Sequence, residues 1–350
     1  MTGSCADFGS ITEINGLDAR ACRNLAAARK ESGRFDALTL ACFRQSARLS
    51  RDPASLVAWL TFRRELGYPM PTLGVPLLNR VRWRLGPQAW LDACHLVAES
   101  GRPPWRLPLH YLPFLRRFCA MSATLSASYA EHPLVRGTQL LRGVSEVVLR
   151  QEMRRQAFFH RLRATRRICV VGNASRMNGS GMGARIDGHD CVVRFNQYSG
   201  ADSRAEDIGT RTDVWVRMPG VPRPTIPVQA QWVVLSGPDV RFRSSNWLAM
   251  QPVIDAGKPI LTVPLPIWQS LVARLGAPPS AGALFLAWLR EIRKDGLAGI
   301  SLVGFNRVDT LKEKYHHAVP GKPPGARHAW PGERDMIQAW AESDGAVWLV

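Results

Sequence analysis

Residues Ile168 to Asn196 read ICVVGNASRMNGSGMGARIDGHDCVVRFN, and this stretch decides the fold. The β-branched run Ile168–Val171 has the composition of a parallel strand buried on both faces, and it empties directly into Gly172-Asn173. A loop with Gly179, Gly181 and Gly183 follows, then a second strand over 190–195 that ends on Asn196. Two asparagines therefore stand at the carboxyl ends of two short strands, where open α/β sheets bind ligands. An asparagine amide offers donors and an acceptor without a charge, which suits a pyrimidine edge or a ribose. The glycines would let backbone N–H groups approach a phosphate. An ordinary dinucleotide-binding turn is the competing reading. It fits poorly, because G-x-G-x-G is not G-x-G-x-x-G and Asn196 stands where an acidic residue would take a ribose hydroxyl.

Outward from this stretch, short apolar runs predict strands at 168–172, 190–195, 213–218, 232–236, 259–263, 300–305 and 346–349. Helical periodicity is clearest between them at 244–255, 267–275, 281–294 and 333–343. Such alternation argues an α/β fold, a mostly parallel seven-stranded sheet with helices on both faces. Residues 15–65 read as helices, with Gly33 and Asp52-Pro53 at the turn positions of a tetratricopeptide-like hairpin. The span 66–115 is Pro-rich and predicts short helices and loops, and 134–165 returns to a helical pattern. The chain divides near 165, into an all-α N-terminal domain over 1–165 and a strand-rich domain over 166–350.

Composition narrows the classes. At 350 residues the chain has room for two domains and a sizeable core. No run reaches 18 apolar residues and MTGSCADFGS is not a signal sequence, so neither a membrane span nor secretion is expected. The seven cysteines are scattered without a C-x-x-C pair, which suggests neither a disulfide framework nor a zinc site. Residues 1–167 hold 26 basic against 12 acidic side chains, and 168–350 hold 20 against 16. The densest part, 101–167, reads either as a contact for an anionic surface, such as a membrane or a phosphorylated acceptor, or as a solvated basic helix face. No nucleic-acid-binding module is present, so nucleic acid is not expected as a partner.

Four motifs occur in order over 168–333. VVGN, GSGxG, IDxHDxVxRxN and DIGTRTD together resemble the large sialylmotif of glycosyltransferase family 29, the sialyltransferases. Pro279-Ser280-Ala281-Gly282-Ala283-Leu284 with Val303-Gly304-Phe305 resembles the small motif. Tyr315-His316-His317 resembles the third motif, and HAWPGE, from His328 to Glu333, matches the very small motif H-x4-E. The resemblance implies a Rossmann-like GT-A variant that moves sialic acid from CMP-sialic acid to a glycan hydroxyl, inverting and without a metal. No cofactor is implied beyond the CMP-sugar co-substrate. Ile168 stands at the usual large-motif cysteine, and the small motif has no cysteine. With no anchor expected either, the resemblance is to a cytoplasmic, bacterial-type member building surface polysaccharide or lipooligosaccharide, peripheral at the inner membrane if 101–167 binds there.

The resemblance also implies roles. His328 is the expected base, since an imidazole titrates near working pH. Glu333 reads as a catalytic carboxylate or as a helix-first-turn residue complementing the dipole. His316 or His317 should donate to the leaving phosphate; Ala318 breaks the pattern, and His316 is favoured, with His317 left as a nucleotide contact. Gly172, Asn173, Asn196, Ser280, Ala281 and Gly282 are the expected donor-nucleotide contacts. Asn173 also reads as a turn-former and Ser280 as a helix cap. Ala281 replaces the usual threonine. No metal site is expected, and Asp187, Asp190 and Asp213 read as loop braces. CMP-Kdo as donor, and a non-catalytic CMP-binding scaffold, remain as alternative readings.

Overall fold

The computed structural model describes residues 11–174, 177–196, 205–218, 230–238, 247–305 and 325–349. Packing divides the chain into two compact units. The first comprises Met1–Trp105, Gln269–Pro278 and Ala326–Ala329; the second comprises Arg106–Trp268, Pro279–Gly325 and Trp330–Val350.

In the second unit seven strands form one sheet: β1 (Ile168–Val171), β2 (Cys191–Phe195), β3 (Val214–Arg217), β4 (Trp232–Leu235), β5 (Ile260–Thr262), β6 (Ile300–Val303) and β7 (Val347–Trp348). Their order is β5-β4-β3-β2-β1-β6-β7, and every pairing is parallel. All seven lie within the runs that the sequence predicts. Strands covered on both faces must be apolar throughout, which is why ICVV and WVVL are so legible. The order runs outward from β1 to β5 and then restarts with β6 on the other side of β1. That reversal is the topological switch point of a doubly wound sheet, and in such sheets ligands bind outside the strands' carboxyl ends.

Alternation along the strands sends neighbouring residues to opposite faces. On one face Trp215, Val233 and Leu235 pack with Ala123, Leu140, Val144 and Val147 from the helices Ala123–Ser128 and Gln139–Leu149. On the other, Phe158 of the helix Gln151–Ala164 meets Trp232 and Trp288, and Phe285 of the helix Ala281–Ile292 meets Phe195. The helices after residue 106 are thus the sheet's own covering layers. The expected division near 165 marks the change from helices to strands, whereas packing divides the chain at 105/106.

In the first unit the helices Ala19–Glu31, Ala37–Leu49 and Ala54–Glu65 pack in succession. Asp18 and Asp36 cap the first two, accepting from Ala21 N and Thr39 N at 2.7 and 2.8 Å. Phe35, Phe43 and Phe62 form their aromatic core. Lys30 lies over Phe35 and Phe62 and pairs with Glu65 at 2.8 Å. The Pro-rich span holds the α-helices Gly74–Val81 and Pro87–Glu99 and the short 3-10 helices Arg82–Arg84 and Leu109–Phe114.

Cys22, Cys42, Cys94, Cys119, Cys169 and Cys191 are free and buried. Burial pushes the thiols of Cys94, Cys119, Cys169 and Cys191 up to about 12. No described helix is long and apolar enough to cross a membrane.

Candidate active site

Two strand ends create the crevice. At the β1 exit Gly172 N donates to Val303 O at 2.7 Å, and Ala174 N donates to Gly304 O at 3.1 Å. The two chains run so close that a Cβ on Gly172 would collide with the Gly304 carbonyl, and one on Gly304 would lie 2.6 Å from the Gly172 oxygen. The Phe305 ring lies against both Gly172 and Gly282, so it joins the β1 exit to the start of the helix Ala281–Ile292. Asn173 meets the same wall: its Nδ2 donates to Phe195 O at 3.1 Å, and Phe195 stacks edge-on to Phe305. The structure thereby brings Gly172, Asn173 and Gly282 together around Phe195 and Phe305, and Asn196 directly follows Phe195 at the β2 exit.

Asn196 is also a structural hinge. It is the one non-glycine with positive φ (50°) among the described residues, a conformation asparagine tolerates better than most. Its N–H donates to Val216 O at 2.8 Å, its carbonyl accepts from Trp215 Nε1 at 2.8 Å, and its Oδ1 accepts from Met218 N at 2.9 Å. These bonds tie the β2 exit to the β3 exit. There Arg217, a fully buried residue, stacks on Trp215 with its guanidinium carbon 4.7 Å from the ring centroid. Burial pushes this guanidinium down to about 10. Sequence reasoning did not single out Arg217; the available signal was a cation closing the apolar strand VWVR.

The glycine loop corrects an expectation. Gly179 and Gly181 adopt φ of 74° and 62°, and their N–H groups converge as an anion-binding loop requires. They converge on the protein's own Asp207, whose carboxylate accepts from Gly179 N at 2.7 Å and Gly181 N at 3.0 Å. Ser180 Oγ adds a bond to the Asp207 carbonyl at 3.2 Å. The three aspartates read as braces do brace loops. Asp187 accepts from Thr210 N and Arg211 N, Asp190 from Arg167 N, and Asp213 from Val192 N. Among the described residues no three His, Cys, Asp or Glu side chains are grouped to hold a metal ion.

Ser280 caps the helix Ala281–Ile292, its Oγ accepting from Ala283 N at 3.2 Å. Ala281 and Gly282 form the helix's first turn, whose N–H groups have no intrahelical acceptor. Glu333 lies in the first turn of the helix Trp330–Asp344, yet its partner belongs to the other helix: its Oε1 accepts from Ser280 N at 2.7 Å. Glu333 is 2% exposed, and burial pushes its carboxyl up to about 7 against the opposing Ser280 bond.

His328 is carried by the first unit. Its Nδ1 lies 2.8 Å from Pro278 O, and a carbonyl only accepts, so Nδ1 holds the proton and Nε2 is the basic nitrogen of the neutral ring. Burial holds its pKa below the ordinary 6.5, opposed by the Pro278 bond and aided by neighbouring Arg327. His316 and His317 lie outside the described residues.

The arrangement is that of a doubly wound α/β protein, a fold in which ligands bind at the switch point. Residues 127–238, which include β1 to β4 and both asparagines, match glycosyltransferase family 29 (sialyltransferase), the family that the motifs of this stretch resemble. An alpha-N-acetyl-neuraminyl-2,3-beta-galactosyl-1,3-N-acetyl-galactosaminide alpha-2,6-sialyltransferase from Mus musculus is 49% identical over 47 residues, 13% of this chain and 13% of that protein's length. Two crystal structures of a mammalian sialyltransferase show a weaker likeness. One, in complex with Gal-beta-1-3GalNAc-ortho-nitrophenol, has TM-score 0.40 and 20% identity over 54% of this chain and 71% of that one. The other has TM-score 0.41 and 21% identity over 54% and 70%.

Proposed function

We propose that this chain transfers sialic acid from CMP-sialic acid to a glycan hydroxyl, with inversion and without a metal, in surface polysaccharide or lipooligosaccharide synthesis. The observation that carries this reading is the switch-point wall. Asn173 and the Ser280-capped helix start meet there through Phe195 and Phe305, and Asn196 follows Phe195 at the β2 exit. Uncharged amides would read the cytosine and ribose, and the helix N-terminus would face the phosphate. Arg217 would supply positive charge at the β3 exit for a donor that carries both a phosphate and a carboxylate. His328, neutral and protonated on Nδ1, has the tautomer a base needs, with Nε2 to take the acceptor proton. His316 is the proposed donor to the leaving phosphate.

CMP release by the purified protein tests this, with EDTA present and CMP-sialic acid and CMP-Kdo supplied separately to a panel of glycan acceptors. His328→Ala should lower acceptor-dependent turnover by about 10²- to 10⁴-fold. The wild-type rate should fall as pH drops through a value below 6.5, since protonation at Nε2 removes the base. Release from CMP-Kdo alone would reassign the donor, and absence of CMP binding would remove the family reading.

Contact with an anionic surface through 101–167 is part of the proposal in narrowed form. Arg154 pairs with Glu146, Arg155 and Arg163 bind the Thr262 and Ile292 carbonyls, and Arg167 pairs with Asp190. One exposed group lies at 106–117, where Arg106, Arg116 and Arg117 flank the exposed Leu109, Leu112 and Phe114.

A further inference from the structure

We propose that Tyr68–Arg84, in the first unit, is a docking surface for an anionic lipid bilayer. The segment runs through the helix Gly74–Val81 and the 3-10 turn Arg82–Arg84. Leu78 faces inward and is buried. Leu73 (66% exposed), Pro76, Leu77 (37%), Arg80 and Trp83 (64%) recur at spacings of three and four, so they share the opposite face. A soluble helix normally places polar residues there, whereas this one exposes leucines, a proline and an indole beside arginines.

The charge selects the partner. No Asp or Glu occurs between Glu65 and Asp92, while Arg80, Arg82 and Arg84 fall within five residues. Arg82 stacks on Trp83 with its guanidinium carbon 4.4 Å from the ring centroid, and Arg63 stacks on the half-exposed Tyr68 at 5.1 Å. Arg84 is fixed by a 2.9 Å bond to the backbone carbonyl of Arg51, itself an exposed residue. The nearest acid in that loop, Asp52, is engaged by Arg23 at 2.8 Å. Aromatic rings with a polar edge, short aliphatic anchors and unopposed arginines are the chemistry of a segment lying at the headgroup boundary. A protein partner would need matching acidic groups, whereas an anionic leaflet supplies negative charge and an apolar floor together.

This proposal does not rest on the transferase reading or on the 106–117 surface. The full chain is floated with phosphatidylglycerol/phosphatidylcholine vesicles and with phosphatidylcholine alone. Binding should require the anionic lipid and weaken as salt rises from about 0.05 M to about 0.5 M. The exposed triple variant Leu73→Ser/Leu77→Ser/Trp83→Ser should bind at least about tenfold more weakly with unchanged thermal melting. Arg80→Glu should cost about fivefold or more. A triple variant that binds like wild type would overturn the proposal. So would loss of binding confined to a Leu109→Ser/Leu112→Ser/Phe114→Ser variant, which would assign the lipid contact to 106–117 instead. A dimer abolished by the triple variant, without vesicle binding, would assign the face to a second copy and equally overturn it.

Discussion

Asp207 and Glu333 occupy comparable positions in two parts of the second unit. Each is a carboxylate set against backbone N–H groups that the sequence marks for a nucleotide: Gly179 and Gly181 in the loop after β1, and Ser280 at the start of the helix Ala281–Ile292. The Asp207 bonds lie at the surface and hold a loop through two donors. The Glu333 bond is buried and holds one donor in an apolar setting that favours the uncharged acid. The difference teaches that convergent N–H groups identify a place suited to negative charge without saying whose charge fills it.

Substitution at Glu333 should have the largest effect. The folded state retains this proton between pH 4.5 and about 7, where the unfolded chain has lost it. The contribution is therefore complete below pH 4.5 and declines as pH rises toward about 7. Glu333→Gln keeps a carbonyl acceptor and cannot ionise, so thermal melts should lose their pH slope across that window; a retained slope would assign it to another group. Glu333→Ala strands the Ser280 N–H and should cost about 3 kcal/mol near pH 6. Asp207→Ala should cost less, about 1–2 kcal/mol, because water can reach the released donors. Hydrogen exchange should accelerate at Gly179 and Gly181 and leave β1 protected; protection unchanged in the loop would show that Asp207 does not hold it. Ser280→Ala should cost about 1 kcal/mol through loss of the cap at Ala283 N, read as a small fall in denaturation midpoint.

The strands were legible because parallel strands buried on both faces leave an unbroken apolar run, as in ICVV. Asn173 and Asn196 were legible because motif spacing puts them at strand ends, and Ser280 because a cap is a local pattern. What the sequence hid depends on partners distant in the chain. Asp207 reaches Gly179 across 28 residues and Glu333 reaches Ser280 across 53. The packing of the helices Ala123–Ser128 and Gln139–Leu149 onto β3 and β4 likewise requires the folded sheet. Many arginines that read as a basic surface over 150–167 are tied to carbonyls and carboxylates of the sheet domain, as Arg163 is to Ile292 O at 2.7 Å. Composition cannot separate an arginine that holds two segments together from one that faces solvent.

Gly172 and Gly304 meet main chain to main chain, and each would drive a side chain into the other's backbone. Most tight contacts admit a second-site suppressor, since a bulky residue can be relieved by trimming its neighbour. Here neither neighbour has anything left to trim. A genetic search for revertants of Gly172→Ala should therefore yield true back-mutation or changes that shift whole strands, and none at residue 304.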